Sequence, residues 1–184
     1  MNKLFHSEAK MQGKTIITLT GKDGKAKKLF HVNFLWKLAK KYFHKDLKVP
    51  VLFGYWSPVA IKLNTVTAVG KQISAQQVGG TTTAPVTAVA IGIGTPTTTA
   101  LGSEISATDG KRGAGTITNT TTTTTGDTEQ WIKTWTFANS YAITEEGLFD
   151  NNTSGGNMLA SQSFSAINVI SGDTLQVTHQ VKFA

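Results

Sequence analysis

Thr174-Leu175-Gln176-Val177-Thr178-His179-Gln180-Val181-Lys182-Phe183 alternates polar and apolar side chains over ten residues. Successive side chains of a strand point to opposite faces, so this stretch is a half-buried β-strand. His179, within that alternation, reads as a sheet-surface histidine. Ser171-Gly172-Asp173 supplies turn chemistry just before it. Working toward the N-terminus, the same signals recur. Ser163 to Val169, Met158-Leu159-Ala160, Tyr141-Ala142-Ile143, Glu129 to Phe137, Gly115 to Thr125 and Val86 to Ile93 read as short strands, separated by loops rich in Gly, Asn, Asp and Ser. The run Thr120–Thr125 fits a strand with an uncharged, hydroxyl-bearing face, because Thr is β-branched. Trp131, Trp135 and Phe137 share one side of their strand and are assigned to the core, like most large aromatics in alternating strands. Short strands with frequent turns point to a sandwich or a barrel, and a mainly β chain with a β-sandwich, of jelly-roll or Ig-like type, over residues 89–184 is expected.

Upstream the texture changes. Residues 72–88 are small, polar and rich in Gly and Thr, and read as a linker or long loop. Residues 1–71 form a basic segment. Thr15 to Thr20 and Lys28 to Val32 flank Gly21-Lys22-Asp23-Gly24-Lys25, which predicts an N-terminal hairpin. Asn33 is a fair N-cap. Phe34, Leu35, Leu38, Ala39 and Tyr42 follow at helical spacing, predicting one short amphipathic helix over 34–45. Val51 to Trp56 is an aromatic stretch, and Ile61 to Thr67 alternates as a strand.

The chain has 184 residues and no Cys, which excludes disulfides, thiolate metal sites and cysteine nucleophiles. Its four His form no His-x-x-x-His pair, and no cofactor or metal is expected. Glu145 and Glu146 are adjacent, so in a strand they point apart and cannot share a general acid/base site; a turn-edge or salt-bridge role is expected. Gly92-Ile93-Gly94 lacks the third glycine and the following helix of a phosphate loop. No Gly-x-Ser-x-Gly elbow is present. These readings together favour a protein that is not an enzyme. No run of apolar residues is long enough for a membrane-spanning helix, and Met1 to Glu8 carries no secretory pattern, so synthesis in a cytoplasm is expected.

Charge divides unevenly. Residues 1–71 hold 14 Lys/Arg against 3 Asp/Glu, and residues 72–184 hold 4 against 8. The basic part admits three readings: phosphate contacts with nucleic acid, a membrane-surface helix, or a solvated lysine face whose apolar side packs on protein. Arg112 is the only arginine, which weakens specific base readout.

Three segments carry a family resemblance. They are Ala90 to Thr95 followed by Ala100 to Ile105; Tyr141-Ala142-Ile143-Thr144-Glu145-Glu146-Gly147-Leu148-Phe149-Asp150; and Gly156 to Ala160 with Phe164 to Val169 and Gly172 to Thr178. They resemble segments of tailed-bacteriophage virion proteins, and Thr-Glu-x-Gly-Leu-Phe-Asp is similar to a motif of phage tail-collar fibre proteins. The resemblance covers about residues 89–184 and implies a structural β module on the tail, fibre or capsid surface, located in the virion and assembled in the host cytoplasm. It transfers no catalytic or ligand residue. The implied partners are other virion proteins and further copies of the chain. Candidate assembly contacts are Phe34, Leu35, Leu38, Tyr42, Phe53, Tyr55 and Trp56. Glu145, Gly147, Leu148 and Phe149 form a candidate structural motif, with Gly147 at a bulge and Glu145 bonding loop amides or Arg112. A host-glycan-binding module using Trp131, Trp135 and Tyr141 is the alternative, and a small nucleic-acid-binding protein a second.

Overall fold

The computed structural model describes residues 10–32, 54–81 and 84–183. The helix expected over 34–45 lies outside them. The described strands are β1 (Met11–Thr20), β2 (Leu29–Val32), β3 (Gly54–Ser57), β4 (Val59–Val66), β5 (Ala88–Gly92), β6 (Gly113–Ala114), β7 (Thr116–Thr120), β8 (Thr128–Thr136), β9 (Tyr141–Phe149), β10 (Met158–Val169) and β11 (Thr174–Phe183). One helix, α1 (Ala68–Val78), stands among them. The chain is mainly β, as the alternation predicts.

The sandwich is corrected to a barrel-like arrangement. Nine strands form one antiparallel sheet in the order β6-β5-β9-β10-β4-β1-β11-β8-β7. Its two ends, β6 and β7, are separated in the chain by Gly115 alone. The Gly115 amide donates to the Thr87 carbonyl at 2.9 Å, and the Trp131 indole N–H donates to the Val86 carbonyl at 2.8 Å. A chain that steps from one end of a sheet to the other within one residue must curl that sheet nearly closed, which removes most of its exposed edge.

The boundary expected at 72–88 does not divide this sheet. β1 and β4, from the basic segment, sit between β10 and β11. β10 and β11 are consecutive and joined by the Gly172 turn, yet each pairs elsewhere: β10 with β9 and β4, β11 with β8 and β1. The N-terminal hairpin is also corrected. Its turn forms, with the Lys27 amide donating to the Leu19 carbonyl at 2.8 Å. β2, however, pairs with β3, because both edges of β1 are taken by β11 and β4.

The supposed linker begins inside α1. Thr67 caps it, its hydroxyl accepting from the Gly70 amide at 2.8 Å. Apart from Ile73, buried in the main core, Val69, packed against it, and the exposed Val78, the helix is small and polar, so no broad apolar stripe announces it. Gly70 lies against the Leu159 carbonyl, where any side chain would collide.

Ile17, Leu19, Val89, Ile91, Ile143, Leu148, Leu175, Val177 and Val181 fill the main core with Trp131, Trp135 and Phe137. A smaller core of Ala88, Ala90, Leu101, Phe149 and Met158 lies where residues 93–112 fold back over the sheet.

Three carboxylates tie turns to this frame. Asp173 accepts from the Lys27 ammonium at 2.6 Å and the Ile170 amide at 3.0 Å. Burial opposes its charge, but these partners outweigh it and hold its pKa below the ordinary value. Asp109 bonds the Ala138 and Asn139 amides and the Tyr141 hydroxyl; burial again opposes, and the hydrogen bonds, Tyr141 first, again win. Asp127 gathers the amides of Thr124, Thr122 and Thr123, which depress its pKa strongly. Since the folded values are depressed, the stability these groups contribute is complete above the unfolded Asp value of about 3.9 and is lost as pH falls through the folded values. Melting temperature, followed by circular dichroism, is expected to drop as pH is lowered below about 4. Lys27→Met is expected to lower it at pH 7 and shrink that acid dependence; a melting temperature unchanged down to pH 2 contradicts this account.

Candidate functional site

Glu145 and Glu146 stand in the middle of β9, both fully buried, so the expected turn-edge role is corrected. As the strand alternation requires, they face different partners. Glu145 meets the loop that follows β5. Its Oε1 accepts from the amides of Gly94 at 3.0 Å and Ser103 at 2.8 Å, and its Oε2 from Gly102 at 2.9 Å. Thr144 Oγ1 donates to the Gly94 carbonyl at 2.7 Å. One carboxylate thus satisfies three amide donors of a segment whose strand pairing is little more than the bridge of Glu104 to Gly92. Gly94 and Gly102 belong to this cradle: a Cβ at Gly94 would stand 2.6 Å from the Ser103 amide, and one at Gly102 would strike Thr95.

The loop-amide reading of Glu145 matches this geometry. Pairing with Arg112 does not. Arg112 instead bonds both oxygens of Glu104, at 2.9 and 2.5 Å, and donates to the Gly155 carbonyl at 2.6 Å, with its guanidinium 3.5 Å above the Phe149 ring. Eight residues along the same loop, Glu104 meets Arg112 while Glu145 is occupied by amides. The bulge is also displaced: the two register shifts lie on β10, one beside Leu159 opposite Leu148 and Phe149 and one between Ser163 and Ile167, and neither is at Gly147. Gly147 instead makes room, its missing Cβ lying 3.1 Å from the Phe149 ring and 3.2 Å from Leu101. Leu148 enters the main core and Phe149 the smaller one.

Glu146 faces the barrel interior. Its Oε1 accepts from Thr15 Oγ1 at 2.7 Å, and its Oε2 lies 2.8 Å from His179 Nδ1. The Asn64 amide nitrogen bonds His179 Nε2 on the other side of the ring. His179 is therefore corrected from a sheet-surface residue to a buried one, held by a chain of hydrogen bonds across β9, β11, β4 and β1. The strand alternation already places it on the side of Val177 and Val181; what it lacks from sequence is any sign of a partner, because Thr15, Asn64 and Glu146 are distant in the chain.

Chemically, the Glu145 cluster is saturated, and in the Glu146 cluster every named atom but Asn64 Oδ1, which is buried without a partner among the described residues, is bonded. The bonded atoms meet the protein itself, and among the described residues no group of three His, Asp or Glu is arranged to hold a metal. No protein-family model matches this chain, and neither does any curated protein or solved structure. Its function is read from its own surface.

The surface feature that stands out is apolar. Tyr55 is 61% exposed and Trp56 46%, on β3; Ile61 is 54% and Leu63 80% exposed, on β4. Trp56 packs on Phe30 and Tyr55 stacks on His31 at 4.7 Å, so the two aromatics leave opposite faces of the β2–β3 ribbon and both remain uncovered. Ile61 pairs across the sheet with Ile16, and Leu63 with Lys14. Of the candidate assembly contacts, Tyr55 and Trp56 are thus exposed; Phe34, Leu35, Leu38, Tyr42 and Phe53 lie outside the described residues. Ile61 and Leu63 were passed over because alternation alone does not tell the inner face of a strand from the outer one. Of the aromatics behind the glycan-binding alternative, Trp131 and Trp135 are buried in the core and Tyr141 is half-buried.

Glu145→Gln replaces one acceptor oxygen with a donor facing amide donors. It is expected to destabilise the fold by about 1–3 kcal/mol, measured by urea denaturation. A variant as stable as the parent shows that the loop does not depend on this carboxylate.

Proposed function

We propose that the chain is a structural subunit that assembles through protein–protein contacts, as a component of a tailed-phage virion on its tail, fibre or capsid surface. The assembly reading is carried by one observation: Ile61 and Leu63, on the same outer face of β4, leave large apolar side chains in water, and Tyr55 and Trp56 of β3 are exposed as well. Large apolar side chains gathered on a surface, as opposed to scattered singly, mark places that another protein covers. Aromatic side chains are enriched at the centre of such interfaces. Lys14, the cross-strand partner of Leu63, suits a rim that meets an acidic neighbour. The virion part of the reading rests on the likeness of residues 89–184 to phage segments. The Glu145 cradle supports it as a device that stiffens a module, since that motif lies in the segment carrying the likeness.

Light scattering over a range of concentrations reads the assembly. A defined oligomer is expected, and Leu63→Asp is expected to shift it toward monomer while changing stability by no more than about 0.5 kcal/mol. A parent chain that stays monomeric at every concentration removes self-assembly. Mass spectrometry of purified particles from the source culture addresses the virion: the chain is expected in stoichiometric amount, and particles lacking it overturn the reading.

A further inference from the structure

The nearly closed sheet keeps one open edge, and its cause is a single residue. β7 is last in the strand order, with β8 on one side of it. On the other side pairing begins well. Ala114 pairs with Ala88, and the Gly115 amide donates to the Thr87 carbonyl. Carried two residues further, that register sets Ile117 opposite Pro85. Proline has no N–H to give to a ladder, so the pairing stops there. The Val86 carbonyl is taken by the Trp131 indole. A cleft of about 410 Å³ then separates Ile117 from Ala84, Pro85 and the Ser74 and Gln77 side of α1.

The backbone groups of alternate residues in a strand point to the same side. The Gly115 amide points toward β5, so those of Ile117 and Asn119 point away from β8, out of the edge. Among the described residues no backbone hydrogen bond reaches Ile117 or Asn119 on that side. Thr116, Ile117, Thr118 and Asn119 are all exposed. A row of free donors and acceptors is completed by another extended strand. Exposed edges are usually guarded by a lysine, a proline or a bulge. β7 has none of these: it runs in unbroken register with β8, and residues 113–126 carry no charged side chain. The whole chain carries +7, so two copies repel each other in general, and an uncharged edge is where they approach at least cost.

We propose that two copies of the chain join through this edge, β7 against β7, antiparallel about a two-fold axis at Thr118. The free backbone groups set the register. With the axis at Thr118, Ile117 of each copy stands opposite Asn119 of the other, and every outward-facing residue of both strands exchanges hydrogen bonds. An axis at Ile117 would call on Gly115, whose amide is already bonded to Thr87. An axis at Asn119 would call on Thr121, beyond the end of β7. The contact is isologous and closes as a dimer. It goes beyond the assembly reading, which rests on the outer face of β4, and gives the subunit a second, different contact.

The chain has no Cys, which makes the test direct. Thr118 is exposed and its hydroxyl accepts from Gln130 at 3.1 Å, so its substitution leaves the core untouched. The variants are made in the full chain carrying Leu63→Asp, so that contacts through β4 do not hold copies together. Thr118→Cys, oxidised with glutathione disulfide, is expected to give a covalent dimer. Its two Cα atoms would stand about 4.5 Å apart, as non-hydrogen-bonded partners do, within the range a disulfide spans. Thr116→Cys, on the same strand and face, is expected to give none, because the two copies of that residue would lie about 13 Å apart along the strands. Thr118→Lys sets two ammonium groups against each other and is expected to abolish the dimer in light scattering, with the circular dichroism spectrum unchanged. No bridge at Thr118→Cys, equal bridging at Thr116→Cys, or a dimer that survives Thr118→Lys would each overturn the proposal. A bridge at Thr118→Cys beside a parent oligomer indifferent to Leu63→Asp removes the β4 contact and leaves this one standing.

Discussion

Gly115 is the point at which the sheet returns to itself. β6 leaves β5, and one residue later β7 joins β8 at the far end of the strand order. Everything placed inside depends on that step. With the ends together, the inward faces of β1, β5, β8, β9 and β11 converge, and aliphatic residues from distant parts of the chain meet Trp131 and Trp135 in one core. Covalent adjacency of the two ends limits closure to one register, fixed by the Gly115 amide on the Thr87 carbonyl. A side chain at Gly115 would press on Val89 at 3.1 Å, which fits the seam's closeness.

Closure brings polar groups inward as well. Thr15, Glu146, His179 and Asn64 come from four strands and bond one another where water does not reach. Buried polar groups are costly unless partnered, and a network with this many specific partners tolerates few alternative registers. A one-residue slip of β1 against β11 would turn Thr15 outward and leave Glu146 short of a donor. The network thus specifies the pairing that the apolar residues drive. Outside the barrel Glu145 does the same for the loop 93–112, which has almost no strand pairing to hold it and takes its order from one carboxylate and the Arg112–Glu104 pair.

The loops are clamped by Glu145, Arg112 and Asp109. Ile61 and Leu63, on the outer face of β4, stay exposed. Strands already fixed by the sheet lose less conformational entropy when their exposed face is covered, which is why the assembly we propose would use them.

Period-2 alternation in β11, β8 and β4, and the turns at Asp23-Gly24 and Ser171-Gly172-Asp173, were legible in the residues themselves, since strand and turn preferences are local. The core role of Trp131, Trp135 and Phe137 followed from the same alternation, whereas for Glu145 the residues left loop amides and Arg112 both open. Partnership was not legible. β2 follows β1 across a good turn but goes to β3, and β10 and β11 flank a good turn but never pair, because each edge goes to the strand that buries the most on both sides. α1 has a Thr67 cap but no apolar stripe, so only its docking of Ile73 and Gly70 against β10 makes it a helix. His179 shares the face of Val177 and Val181, but its partner Glu146 lies 33 residues away, so its buried pairing was not legible. The sequence by itself determined which segments are strands and which side of each is apolar. Only the tertiary structure decided which strands meet, that one sheet curls where two were expected to stack, and which apolar side is left facing water. Those choices depend on long-range pairing energies that no local window contains.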